Sequence, residues 1–347
     1  MAVGLSQSSV KAVFNPDPRI RLRPETRRRI LTTAHQMGYV PHHAGRRLAR
    51  SRPNNKSASF DQVGLIHLTR PDAKNSFVDP VCLAMMQGAE YELSRLHASL
   101  TFIRVSEFED WQKIERLTRA GGLDGWLVYG PPNDEIADRL RSTHLPHVIL
   151  GDHRCTRPVH SVNVDNFAVG RLAVEHLASL GHRRIAYMAG SMCFVFQEQI
   201  LQGFRSAVND RGLDDDERLF VNLSTWKNPG AQQPIDWLQS LHPMPTAVFM
   251  PEIGLAQTLH PIFRLSQSAV LKEISVLSCG ATPPDGMGSD LMRIDLPMSE
   301  VGRQGALLLH RLVAESRVES GEVKISPSLV EGGSTRAPSV SKPGTTE

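Results

Sequence analysis

Gln7, Ser8 and Lys11 fall on one side of a short segment, residues 6–14, whose other side carries Val10, Val13 and Phe14. Ser6 opens it, and a serine at that place caps a helix by accepting a backbone N–H. The outward carboxamide, hydroxyl and ammonium can hydrogen-bond base edges or phosphate oxygens. A second segment, residues 42–50, sets Arg46, Arg47 and Arg50 around Leu48, its one large apolar side chain. Both segments have the chemistry to hold a polyanion.

The charge distribution agrees. Residues 1–56 hold 12 Lys/Arg and 2 Asp/Glu, a net of +10, while the remainder holds 27 and 34, a net of −7. The overall +3 therefore hides a strongly basic head on a mildly acidic body, the asymmetry that nucleic-acid binding needs. The head also carries a helical pattern. After Arg23-Pro24-Glu25-Thr26, Ile30, Leu31, Ala34 and Met37 make one apolar face and Gly38 stops the helix. Residues 51–59, with Pro53-Asn54-Asn55, read as a linker.

From Phe60 onward strands and helices alternate. Strands are predicted at 63–68, 100–105, 126–129, 148–150, 185–189, 247–250 and 274–277. Helices are predicted at 80–96, 111–120, 167–180, 197–211 and 298–314. Such alternation predicts an α/β core of parallel sheets flanked by helices. Seven strands, more than one compact sheet usually holds, point to two lobes, with a ligand cleft at the strand C-termini. The stretch from Gly332, rich in Ser, Thr, Pro and Gly, is expected to be a disordered tail.

Other chemistry is not apparent. Cys82, Cys155, Cys193 and Cys279 are far apart and form no CxxC pair, so neither a disulfide framework nor a zinc site is expected. His42-His43 and His182 lack partners at metal-ligand spacing, and Asp214-Asp215-Asp216-Glu217 lacks the calcium-loop pattern and reads as a solvated loop. No Walker A, G-x-G-x-x-G or G-x-S-x-G motif occurs. The expectation is a protein without metal, cofactor or catalysis. The N-terminus has no secretory pattern and no run reaches the roughly 18 apolar residues of a membrane span, so a cytoplasmic location is expected.

The sequence Val3-Gly4-Leu5-Ser6-Gln7-Ser8-Ser9-Val10-Lys11-Ala12-Val13-Phe14-Asn15 resembles the helix-turn-helix of the LacI family of transcriptional regulators. Thr26-Arg27, Ile30, Ala34, Met37-Gly38-Tyr39, Pro41, Arg46 and Leu48 continue the resemblance. Val164-Asp165-Asn166, His176-Leu177 and Leu180-Gly181-His182-Arg183-Arg184-Ile185-Ala186 extend it into the core. The resemblance implies a small all-α headpiece over residues 1–59 and a core over 60–331 like the periplasmic binding proteins, its two lobes joined by crossovers near Asn163, Asp295 and Ser326. It implies a homodimer on palindromic operator DNA, with a small and sugar-like effector in the cleft. Ser6, Gln7, Ser8, Ser9, Lys11 and Asn15 would then face the major groove. His42, Arg46 and Leu48 would belong to a hinge helix in the minor groove, with Leu48 wedged into a base step.

The sequence also departs from the family. It begins at the Gly-Leu-Ser turn where the family has a further helix, so the headpiece is expected to be short of one. Ala12 stands where many members have arginine, and Gly45 replaces a hinge alanine, which lowers helix propensity by roughly 1 kcal/mol. In the cleft, Ile200 takes the place of an arginine, Gly280 that of an aspartate, and Pro251-Glu252 that of Asn-Asp; Gly151 stands at an aspartate position, with Asp152 next. Phe77, Asp152, Asp165, Phe196, Glu198, Gln199 and Glu252 remain as candidate effector contacts. With this less basic lining, phosphorylated sugars are expected to bind poorly. A solute-binding protein of transport, and a regulator that no longer binds DNA, are the competing readings.

Overall fold

The computed structural model describes residues 9–10, 13, 22–37, 60–69, 80–106, 108–130, 132–190, 194–223, 230, 232–281, 290–315 and 318–339. In the head, helix α1 (Pro24–Gln36) buries Ile30, and Val13 is buried too. Leu31 and Met37 are not buried with it: they are 45% and 64% exposed, Met37 lying just past the end of the helix. Leu31 lies about 100° around the helix from Ile30, so burying one turns the other to solvent.

The core consists of two six-stranded sheets. In the first, β1 (Gln62–Leu68), β2 (Ser99–Val105), β3 (Gly125–Tyr129), β4 (His147–Leu150), β5 (Ser161–Val164) and β11 (Glu322–Ile325) lie in the order β11-β5-β4-β3-β1-β2, every pairing parallel. The second orders β12-β10-β9-β8-β6-β7 from β6 (Ile185–Ala189), β7 (Phe220–Asn222), β8 (Ala247–Met250), β9 (Ser275–Gly280), β10 (Arg293–Asp295) and β12 (Ser328–Val330). There only β10 and β12 pair antiparallel. The predicted two-lobed α/β core is thus the observed one.

Helices α2 (Pro80–Arg95), α3 (Phe108–Arg119), α4 (Asp134–Ser142) and α10 (Met298–Ala314) pack on the first sheet. Helices α5 (Asn166–Ser179), α6 (Val195–Asp210), α7 (Gln232–Ser240), α8 (Ile253–Leu265) and α9 (Ala269–Glu273) belong to the second lobe. One glycine-mediated helix crossing supports each lobe. A Cβ on Gly302 would stand 1.9 Å from the Met85 carbonyl oxygen, and one on Gly203 would stand 2.0 Å from that of Phe167, so only glycine lets these backbones meet. Across the first crossing the buried Glu92 pairs with Arg303 at 3.4 Å.

Three chain passages join the lobes. β5 ends at Val164 in the first sheet and α5 begins at Asn166 in the second lobe. β10 ends at Asp295 and α10 returns to the first lobe, and β11 passes to β12 between Ile325 and Ser328. Because β5 runs parallel to β4 and β10 parallel to β9, the C-terminal ends of the parallel strands in both lobes face the same interlobe cleft. The N-terminal ends of the first lobe lie on the far side, where Phe60 packs edge-on against His310 of α10, ring centroids 4.9 Å apart.

Residues 332–339 are not a free tail. Ser334, 1% exposed, donates to the Val276 carbonyl and accepts the Met292 N–H, and the Arg336 N–H donates to Ser275 Oγ. His182 is fully buried between Thr246 Oγ1 (2.8 Å) and the Arg336 carbonyl (2.9 Å). The small polar side chains that suggest disorder here supply the strap's anchoring bonds. The remaining tail, 340–347, lies outside the described residues. The acidic loop after α6 likewise does more than meet solvent. Buried Arg184 binds Asp214 and Asp216 and donates through Nε to the Pro243 carbonyl at 2.6 Å. Hydrogen bonds from Arg218, and then from Arg184, hold the Asp216 carboxyl well below the usual carboxylate range.

Candidate functional site

Gly151 follows β4 with φ +82, a left-handed conformation that favours glycine. It turns the chain so that Asp152 enters the cleft. Asp152 Oδ1 accepts Asn163 Nδ2 at 2.8 Å and Asn166 Nδ2 at 3.4 Å. Its Oδ2 accepts the backbone N–H of Phe196 at 2.5 Å. Asp152 stands at the end of a first-lobe strand, whereas Phe196 lies in the first turn of α6 in the second lobe. The carboxylate therefore bridges the lobes. Burial pushes its pKa up, partly offset by the bonds from Asn163 and Phe196.

The polar chain continues across the crossover. Asn166, 4% exposed at the start of α5, also donates to Gln199 Oε1 at 3.1 Å. Asp165 is occupied locally, its Oδ1 accepting the Ala168 N–H at 3.0 Å as the α5 N-cap. A second node lies within the second lobe, where Glu252 accepts Gly190 N–H and Gln197 Nε2, each at 2.7 Å. Gln197 also accepts the Phe194 N–H, which fixes the start of α6 without a polar N-cap residue.

Asp152, Phe196 and Gln199 are thus brought together around Asn166, while Glu252 is bonded to Gln197 and Gly190 in a separate set. Glu198, in the first turn of α6, is exposed. Phe196 stacks on Phe194 at 5.7 Å, and at the cleft ends of β1 and β3 His67 lies 5.1 Å from Tyr129. Ile200 is fully buried in the core, in keeping with its apolar type. Sequence reasoning did not assign Asn163, Asn166 or Gln197 to the cleft. The one signal was the polar Asn163-to-Asn166 stretch itself, which closes a short strand and opens a helix. Ser9 is helical and half-buried. Ser6, Gln7, Ser8, Lys11, Asn15, His42, Arg46, Leu48 and Phe77 lie outside the described residues.

Residues 63–250, more than half of the chain, match the family described as periplasmic binding proteins and sugar binding domain of LacI family. The chain belongs to the LacI family. Residues 174–335 also match the periplasmic binding protein-like domain. Among curated LacI-family relatives, the HTH-type transcriptional regulator DegA of Bacillus subtilis (strain 168) is 23% identical over 336 residues, 96% of each chain. Two solved structures share the fold. A Lac repressor dimer bound to operator and the anti-inducer ONPF gives a TM-score of 0.72 at 20% identity, covering 97% of both chains. The regulator CelR in complex with cellobiose gives 0.61 at 22% identity, covering 96% of this chain and 97% of that one. Among the described residues no helix is long and apolar enough to cross a membrane, and no group of three or more His, Cys, Asp or Glu side chains is placed to hold a metal ion.

Proposed function

We propose that this LacI-family chain is a repressor that binds palindromic operator DNA as a homodimer through residues 1–59 and senses an uncharged effector in its interlobe cleft. The observation that carries the reading is the joining of a head of net charge +10 to a two-lobed core whose cleft is crossed by one polar network. The relatives support it: one is a dimer on operator DNA and another holds cellobiose. In this reading Ser6, Gln7, Ser8, Ser9, Lys11 and Asn15 meet the major groove and His42, Arg46 and Leu48 the minor groove. Asp152, Gln199 and Glu252 set the polarity of the cleft, with Phe196 as an apolar wall. The protein carries no catalytic activity.

Helix α10 supplies a physical connection between the two functions. It starts at the second crossover and reaches His310, which packs on Phe60 where the head joins the core. At 1.5 Å per residue the span from Met298 to His310 is roughly 18 Å. A change in lobe angle at the crossover is thereby carried to the head junction.

Selection from a random duplex pool tests the reading. Enrichment of a sequence with two-fold symmetry, bound by a dimer, is the expected result. A pool that gains no common sequence over successive rounds would overturn it.

A further inference from the structure

We propose that Asp152 determines both the resting closure of the cleft and the class of ligand it admits: the chain's own carboxylate occupies the N-terminal end of α6, so the cleft rejects anions and takes uncharged, hydroxyl-bearing molecules. A helix N-terminus with free N–H groups is a ready anion site. Here the N–H of Phe196 is already taken by Asp152 Oδ2. Among the described residues the donors to this carboxylate are two side-chain amides and one backbone amide, none of them a cation. Its negative charge is therefore hydrogen-bonded without being neutralised, and a phosphate or carboxylate beside it would meet like charge in a partly desolvated site.

Counting acceptor sites defines what can still bind. An ionised carboxylate offers about four lone-pair positions. Three are used, two on Oδ1 and one on Oδ2. The fourth, on Oδ2, can accept a ligand O–H or N–H. The second acidic group of the cleft follows the same pattern, since Glu252 already accepts Gly190 N–H and Gln197 Nε2. Ile200, on the next turn of α6, is buried in the core and offers an anion nothing.

The same bond accounts for closure. Asp152 and Asn163 belong to the first lobe, while Asn166, Phe196 and Gln199 belong to the second. The carboxylate is held by Asn163 on its own side and by Phe196 and Asn166 across the cleft, so it ties the two lobes through the chain's own groups. Gly151 at φ +82 delivers it there. This latch stands on geometry alone, whereas the ligand class rests on the reading that the cleft holds an effector.

The full chain, free of DNA, is the test material, with Asp152→Asn and Asp152→Ala as variants. Selective 15N labelling of phenylalanine lets the Phe196 amide be followed, and small-angle scattering gives the radius of gyration. The wild-type Phe196 resonance should not move with millimolar inorganic phosphate, whereas in Asp152→Ala it should titrate, with phosphate affinity at least about tenfold above wild type. The radius of gyration should rise in both variants while their far-UV dichroism is unchanged. Phosphate that shifts the wild-type resonance overturns the ligand-class half. Variants that fold with the wild-type radius overturn the latch. Neither result bears on whether the head binds DNA, so failure of the inference and failure of the regulator reading are told apart.

Discussion

Gly170 of α5 faces Ile200 of α6 so closely that a Cβ on the glycine would stand 2.0 Å from the Ile200 carbonyl oxygen and 2.5 Å from the Phe204 nitrogen. This contact fixes the place of α6, and with it the N–H that Asp152 accepts. Gly170→Ala should lose about 1–3 kcal/mol, because both obstacles are backbone atoms that cannot swing aside. Gly254→Ala, in α8 with nothing within 4 Å of the new methyl, should instead gain about 0.5–1 kcal/mol from helix propensity. Urea midpoints compared at constant m-value check both signs. Equal shifts in one direction would contradict the packing argument.

Ile200 invites a second test. It is 0% exposed, packed in the core beneath α6. Ile200→Arg should not create a basic cleft. It should cost several kcal/mol, since a buried unpaired guanidinium has nothing to solvate it. Calorimetry with glucose 6-phosphate should show no gain in binding. A stable, folded variant that binds the sugar phosphate would show that Ile200 points into the cleft after all.

The strap at residues 332–339 predicts a pH dependence. Burial pushes the His182 pKa down, with a smaller lowering from His176, while its bond to the Arg336 carbonyl acts in the other direction. A histidine whose folded pKa is depressed binds its proton more readily when unfolded, so stability rises with pH. The contribution is complete above the unfolded pKa of about 6.5 and is lost as pH falls below it. His176, held to Thr335 Oγ1 at 3.1 Å and also depressed by burial, adds in the same sense. Urea stability measured from pH 8 to 5 should fall through this window, and His182→Asn should flatten the slope. A slope unaffected by the substitution would remove His182 from the account.

For the head, Leu48→Ala should weaken binding to a selected palindromic duplex more than binding to random DNA. Only the specific complex needs a wedge to hold the kinked base step. Affinity for both duplexes should fall with salt, at a log–log slope of about −0.9 per neutralised phosphate. Equal losses on the two duplexes at one salt concentration would count against the wedge.

The core strands β1, β6 and β8 were legible because they are continuous apolar runs, buried on both faces of a parallel sheet. The strands that escaped were short or polar. Ser161–Val164 carries Ser and Asn, Ser328–Val330 has only three residues, and Glu322–Ile325 is largely exposed. Helix α8 was hidden by Pro261 in its interior, and the first turn of α6 by an N-cap that is phenylalanine. In the cleft, Asp152 and Gln199 could be named from their type and their place after a strand or on a helix. What Asp152 binds could not, because the Phe196 amide N–H is a backbone group that every residue except proline carries. The carboxyl of Asp165 shows the converse. Its type suggested a ligand contact, and its Oδ1 also caps α5, a local role that the ligand reading left out.

The most direct test of the central claim, that one chain couples an interlobe cleft to sequence-specific DNA binding, is the affinity of the protein for its selected duplex with and without a saturating neutral saccharide. The saccharide is taken from a calorimetric screen, with cellobiose among the probes. The account predicts that ligand binding changes the duplex Kd by a factor of roughly 5–150, and that the duplex changes the ligand Kd by the same factor. A saccharide that binds in the cleft yet leaves the duplex Kd unaltered at fixed salt would contradict it.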